Sequence, residues 1–153
     1  MSIQYINNYI NEKLQEKKWE ALDLANYTGI APSDISKYRK GTVKKLKADV
    51  FYKLYKAFGD PCYEASKIVY PELTLKPNKF IRQQRTPFGE FMYQFEESKN
   101  SIEHISLKTG IDENRLKDLY FRKASIEAYE LILIEKAIGK NQGELFEMLY
   151  GTN

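Results

Sequence analysis

With 153 residues, 42% of them hydrophobic and 14% aromatic, the chain has room for one medium domain or two small ones with cores of their own. No run reaches the roughly 18 apolar residues of a membrane span, since Glu135 and Lys136 break the longest candidate, and with neither a basic nor an apolar region in the N-terminal residues export is not expected. A lone cysteine, Cys62, excludes an internal disulfide, so a reducing, cytoplasmic location is the expectation.

The net charge of +3 hides an asymmetry. Residues 1–70 carry 12 Lys and Arg against 8 Asp and Glu, residues 71–87 carry 4 against 1, and residues 88–153 carry 8 against 12. The basic half suits a polyanionic partner and the acidic half does not.

Ile6, Ile10 and Leu14 recur at helical spacing and predict a first helix over about 3–17. Leu22, Leu24 and Ala25, together with Ile35 and Tyr38, predict two short helices over about 20–28 and 32–39. A stripe of Phe51, Leu54, Tyr55 and Phe58 predicts a helix over 48–58, followed by another over about 61–70. Gly29, Gly41 and Gly59 fall where helices end, as left-handed caps, and Pro32 suits a first helical turn. Pro71, Pro77 and Pro87, among Lys76, Lys79, Arg82 and Arg85, predict an extended strap. Such a strap either tracks a phosphate backbone or serves as a solvated linker. Five more helices are predicted near 88–99, 101–109, 113–121, 126–138 and 142–150, with Ser101 as an N-cap.

The later helices repeat the earlier ones at an offset of about 80 residues. Thr28-Gly29-Ile30 returns as Thr109-Gly110-Ile111, and Leu24, Ile35 and Tyr38 correspond to Ile105, Leu116 and Leu119. Leu54, Ala57, Phe58 and Gly59 align with Ile134, Ala137, Ile138 and Gly139. The expected fold is therefore all-α: two tandem five- to six-helix units over 1–70 and 88–153, joined by a basic linker over 71–87.

At about 100° per residue, the 32–40 segment turns Ile35 and Tyr38 inward against Ile30 and Leu24. Ser33, Lys37 and Lys40 share the opposite face, flanked by Asp34 and Ser36. A helix anchored on one side, with hydrogen-bonding side chains free on the other, suits reading of the DNA major groove. Lys37 is placed to donate to guanine and Asp34 to accept from cytosine N4. Ser33 would reach a base edge or a phosphate, and Pro32 would meet a thymine methyl group. The loop Lys40-Gly41-Thr42-Val43-Lys44-Lys45-Leu46-Lys47 suits phosphate oxygens, which position a protein without reading sequence. Its cations would equally favour the C-terminal end of the preceding helix.

The order Leu24-Ala25, Gly29-Ile30, Ile35-Ser36 and a closing Gly41 resembles the phage-repressor-like, xenobiotic-response-element (XRE) helix-turn-helix regulators. The resemblance covers residues 3–60 well and 88–139 in degenerate form. It implies a recognition helix over 32–40, with Pro32, Ser33 and Lys37 at base-contacting positions, and double-stranded DNA as partner. Asp34 is expected to join these base contacts, and Ser36, Arg39, Lys40, Thr42, Lys44, Lys45 and Lys47 to face phosphates. Two positions depart from the family pattern. Ala21 stands where a phosphate-touching glutamine is common, and Arg39 replaces a frequent glutamate.

On the later copy, Asn114, Asp118 and Phe121 occupy the stripe held by Ser33, Lys37 and Lys40, and Arg122 replaces the closing glycine. Asp112, Glu113 and Asp118 would repel a phosphate backbone. This copy is expected to dimerise the protein or hold a partner through 88–153. Arg115, Lys117, Arg122 and Lys123 leave open a second, weaker DNA contact. Tyr5, Tyr9, Tyr129 and Tyr150 are further candidates for an interface.

Catalysis is not expected. His104 is the only histidine, placed on the surface of a first helical turn, and no metal-ligand spacing or phosphate-binding glycine loop occurs. The carboxylates are expected on solvated helical faces, and neither cofactor nor metal is implied. The rival to a DNA reader is a protein-interaction module, antitoxin-like or bridging, whose helix-turn-helix is structural.

Overall fold

Ile6, Tyr9, Ile10 and Leu14 lie on one face of α1 (Ile6–Lys17), and all four are buried. The computed structural model describes residues 3–76, 101–122 and 124–151. Among them, α2 (Ala21–Thr28), α3 (Pro32–Lys40), α4 (Ala48–Phe58) and α5 (Cys62–Val69) complete the first half. The second half contributes α6 (Ile102–Thr109), α7 (Glu113–Phe121), α8 (Ala128–Ala137) and α9 (Glu144–Tyr150). The described residues contain no strand. The helix expected over 88–99 and the strap residues 77–87 lie outside them.

Local chemistry sets the helix ends. Residues 3–5 were expected inside the first helix, but Tyr5 N–H donates to Val69 O and the Gln4 amide oxygen accepts Ile6 N–H at 2.8 Å. This side-chain acceptor starts α1 at Ile6. Glu20 and Asp23 form a reciprocal capping box at the start of α2, as Glu127 and Glu130 do for α8. Ser101 accepts His104 N–H as the N-cap of α6. Gly29, Gly41 and Gly59 take left-handed conformations at the ends of α2, α3 and α4.

Packing follows the apolar stripes. α1 lies against α3 and α5, α2 against α3 and α4, and α6 against α7 and α8. α4 touches α5, α8 and α9, so it carries contacts from both halves. The larger core joins Phe51, Leu54 and Phe58 to Leu131, Ile132 and Phe146, with Phe51 edge-on to Phe146 at 5.7 Å between ring centres. Burying one such aromatic contributes about 1.5–3 kcal/mol. A smaller cluster unites Ile105, Ile111, Leu116, Leu133 and Ile134, with Leu73 and Leu75 of the strap packed against it. The described start of the strap is therefore anchored by apolar contacts and by Lys136, whose ammonium donates to Leu73 O.

The turns recur in both halves. The Thr28 hydroxyl donates to Leu24 O at 2.7 Å and accepts Ile30 N–H, and the Thr109 hydroxyl donates to Ile105 O at 2.6 Å and accepts Ile111 N–H. Gly29 and Gly110 follow with φ of 74° and 81°. After α4, Asp60 N–H donates to Tyr55 O, and after α8, Lys140 N–H donates to Glu135 O.

Ile126 and Glu127 were expected inside a helix, but they run extended and pair with residues 46–48. Ala48 N–H donates to Ile126 O at 3.0 Å, and Ala128 N–H donates to Leu46 O at 2.9 Å. Lys47 and Glu127 form the antiparallel bridge between them. Other expectations also need correction. Leu22 is 61% exposed, because the inner face of α2 is taken by Leu24 and Ala25. Tyr9 is fully buried, its hydroxyl donating to Asp60 at 2.7 Å and its ring edge-on to Phe58, so it is core rather than interface.

Candidate functional site

The α2–α3 turn fixes how α3 is presented. Gly29 ends α2 in a left-handed conformation, and Ala31 N-caps α3 in extended geometry with Pro32 in its first turn. Ile35 and Tyr38 are then buried beside Leu24 and Ile30. Pro32, Ser33, Asp34, Lys37 and Lys40 are exposed, and Ser36 is half-buried. Ser33, Lys37 and Lys40 follow at i, i+4 and i+7, which places them on one helical face.

The end of α3 is tied down by its neighbours. Arg39 Nε donates to Asn11 Oδ1 at 2.8 Å, while Asn11 Nδ2 donates to Arg39 O at 3.2 Å. The Thr42 hydroxyl and N–H both donate to Lys37 O. Arg39 is thus held against α1, and Thr42 closes the helix. Gly41 takes a φ of 73°, a conformation that favours glycine, and a Cβ there would press on the Asn7 amide nitrogen at 3.1 Å.

Beyond Gly41 the loop alternates between anchor and exposure. Val43 is half-buried and its carbonyl accepts from the Gln4 amide at 2.7 Å, and Leu46 is buried. Lys44, Lys45 and Lys47 are exposed. Two apolar anchors therefore hold a short backbone from which three lysines project next to the Lys40 end of α3. The first half thus exposes Lys40, Lys44, Lys45 and Lys47 within eight residues of chain that is anchored at Val43 and Leu46.

The corresponding surface of α7 has other chemistry. Asn114 is exposed, Asp118 is half-buried and paired with Arg122 at 3.2 Å, and Phe121 is 75% exposed beside an exposed Tyr120. Asp112 N-caps the helix by accepting Asn114 N–H at 2.8 Å. Arg115 is occupied: Nε and Nη2 donate to the two Glu130 carboxylate oxygens, each at 2.8 Å, and Nη2 also donates to Ser125 O. Lys117 pairs with Glu113. Lys123 lies outside the described residues. Tyr5 is exposed, whereas Tyr129 and Tyr150 are half-buried against the larger core.

Two carboxylates depart from the expectation of solvated faces. Glu130 is 1% exposed, held by Arg115 and by Glu127 N–H. Glu135 is fully buried and accepts Gly143 N–H at 3.0 Å and Leu145 N–H at 2.7 Å. Burial pushes the Glu135 carboxyl up from the ordinary range, against the pull of these backbone donors. Sequence signals existed for both. Glu127-Ala-Tyr-Glu130 has capping-box spacing, and Glu135 directly follows the apolar run Leu131–Ile134. Glu127 is also pushed up, first by burial and then by Glu130, while Lys45 and Arg115 pull it down.

Among the described residues no group of three or more His, Cys, Asp or Glu could hold a metal ion. No helix among them is long and apolar enough to cross a membrane. Cys62 is buried at the start of α5, and burial pushes its thiol up to about 12. The His104 ring is half-buried, with Nδ1 3.0 Å from Ser101 Oγ. No family model matches the chain, and neither a curated protein nor a solved structure matches it at a significant level.

Proposed function

We propose that this protein is a sequence-specific, double-stranded DNA-binding regulator of the XRE type, built from two tandem copies of one helix-turn-helix unit. The division of α3 carries the reading: Ile35 and Tyr38 are buried while Pro32, Ser33, Asp34, Lys37 and Lys40 stay exposed. Such a helix has a fixed orientation and free hydrogen-bonding groups, the two requirements for direct readout in the major groove. Lys44, Lys45 and Lys47 add cations suited to phosphates. Arg39 acts by bracing α3 on Asn11, and Thr42 by capping it, alongside any phosphate contact they make.

The repeated threonine–glycine turns favour the tandem reading, and the chemistry of α7 favours a different role for the second unit. With Arg115 committed to Glu130 and Phe121 exposed, α7 suits a protein partner better than a phosphate backbone. This surface also keeps a second reading alive, in which the whole chain is a protein-interaction module.

Titration of a labelled duplex with the full chain at stepped salt concentrations tests the proposal. Each phosphate neutralised should contribute about −0.9 to the slope of log K against log salt. Absence of duplex binding, or binding indifferent to salt, would overturn it in favour of the protein-interaction reading.

A further inference from the structure

We infer that the second half of the chain stands where a second subunit would stand, so that one chain engages one asymmetric DNA element through α3 alone. This inference rests on the DNA-reading proposal for α3.

Its basis is the join between the halves. At the repeat offset, Leu46, Lys47 and Ala48 correspond to Ile126, Glu127 and Ala128. These equivalent segments meet each other: Ala48 N–H donates to Ile126 O, and Ala128 N–H donates to Leu46 O. Reciprocal contact between equivalent residues is the mark of an isologous, two-fold interface. Here both sides belong to one chain. Ala48 and Ala128 are completely buried at the join, and Phe51, Leu131 and Ile132 continue the core across it.

The charges at the join favour unlike halves. Lys47 stands opposite Glu127, and Lys56 Nζ lies 2.9 Å from Glu147 Oε1 while the Tyr52 hydroxyl donates to Glu147 Oε2 at 3.1 Å. A second first-half unit in the same place would bring Lys47 to Glu127's position and Lys67 to Glu147's. Lys47 would then face Lys47, and Lys56 would face Lys67. Like charges discriminate against that pairing.

The surface a symmetric dimer would use is therefore occupied internally. The helix standing in the second reading position is α7, with Asp118 and Phe121 outward and Arg115 bound to Glu130. A join whose equivalent segments pair reciprocally, without matching reading chemistry in the two halves, fits a target with one half-site, not a palindrome.

Native mass measurement of the full chain, alone and with duplexes selected by it from a random pool, tests this directly. One chain per duplex is expected, on an element without inverted symmetry. A duplex carrying the element once should bind as tightly as an inverted repeat, apart from the statistical factor of about two. Two chains on a palindrome, gaining about 100-fold from linked sites, would overturn the inference and leave the DNA reading standing. A chain that dimerises without DNA would also overturn it. A monomer that binds no duplex would overturn the DNA reading, and the asymmetric element with it.

Discussion

Arg115 grips both carboxylate oxygens of Glu130, Nε to one and Nη2 to the other, and so ties α7 to the first turn of α8. The same Glu130 accepts Glu127 N–H at 3.0 Å, so one buried carboxylate serves an ion pair and a helix cap together. Removing one partner of such a pair is worse than removing both. Arg115→Ala would strand the carboxylate and should cost about 3 kcal/mol, towards the lower end of the range for broken buried pairs. A joint Arg115→Met, Glu130→Leu replacement should recover part of that loss. Urea unfolding followed by circular dichroism measures both. Equal losses in the single and joint variants would contradict the assignment.

Two glycines with positive φ should respond differently to alanine. At Gly29, φ is 74° and a Cβ would meet nothing within 4 Å, so Gly29→Ala should cost only the left-handed strain of about 1–2 kcal/mol. At Gly143, φ is 97° and a Cβ would fall 2.8 Å from Cys62 Cβ. Strain and overpacking together should make Gly143→Ala cost about 3 kcal/mol or more. Thermal melts of the two variants test the ranking.

Glu135 should give stability a particular pH dependence. Its carboxyl is raised in the fold by burial, so the folded chain holds this proton more tightly than the unfolded chain. As pH rises from the ordinary carboxylate range through the raised value, the unfolded state ionises first and stability falls. Glu135→Gln keeps an oxygen for Gly143 and Leu145 and should abolish that decline. Glu147 runs the other way, because Lys56 lowers its carboxyl and stability is lost as pH falls through the lowered value. Comparing unfolding free energies of wild type and Glu135→Gln between pH 4 and pH 8 isolates the first effect. An unchanged slope would contradict it.

How the elements became legible explains what did not. The caps at Gly29, Gly41, Gly59 and Ser101 were readable because a cap is a local event, decided by one residue and its neighbours. The exposed face of α3 was readable because Ile35 and Tyr38 define the buried one. The pairing of Leu46–Ala48 with Ile126–Ala128 was not, since partners about 80 residues apart leave no periodic trace. Neither was the burial of Tyr9, whose hydroxyl depends on Asp60 in a distant turn. Arg115 looked like a free cation for the same reason: its partner Glu130 comes from the next helix.

Lys37 and Lys45 should separate in DNA binding. Lys37, exposed on the outer face of α3, is assigned to a base edge, and Lys37→Ala should cost about 1–3 kcal/mol on the preferred sequence while relaxing one position. Lys45, on the anchored loop, is assigned to phosphate. Lys45→Ala should weaken all sequences alike and reduce the salt slope by about 1. Anisotropy titrations of matched and mismatched duplexes measure both, and identical behaviour would contradict the role assignment.

The most direct measurement is selection from a random duplex pool by the full chain at moderate salt, run beside Ser33→Ala as a second probe of the α3 face. A single enriched element is expected with the wild type, and the Ser33→Ala pool should blur next to the position that depends on Lys37. A pool that stays unbiased with the wild-type chain would contradict sequence reading by α3.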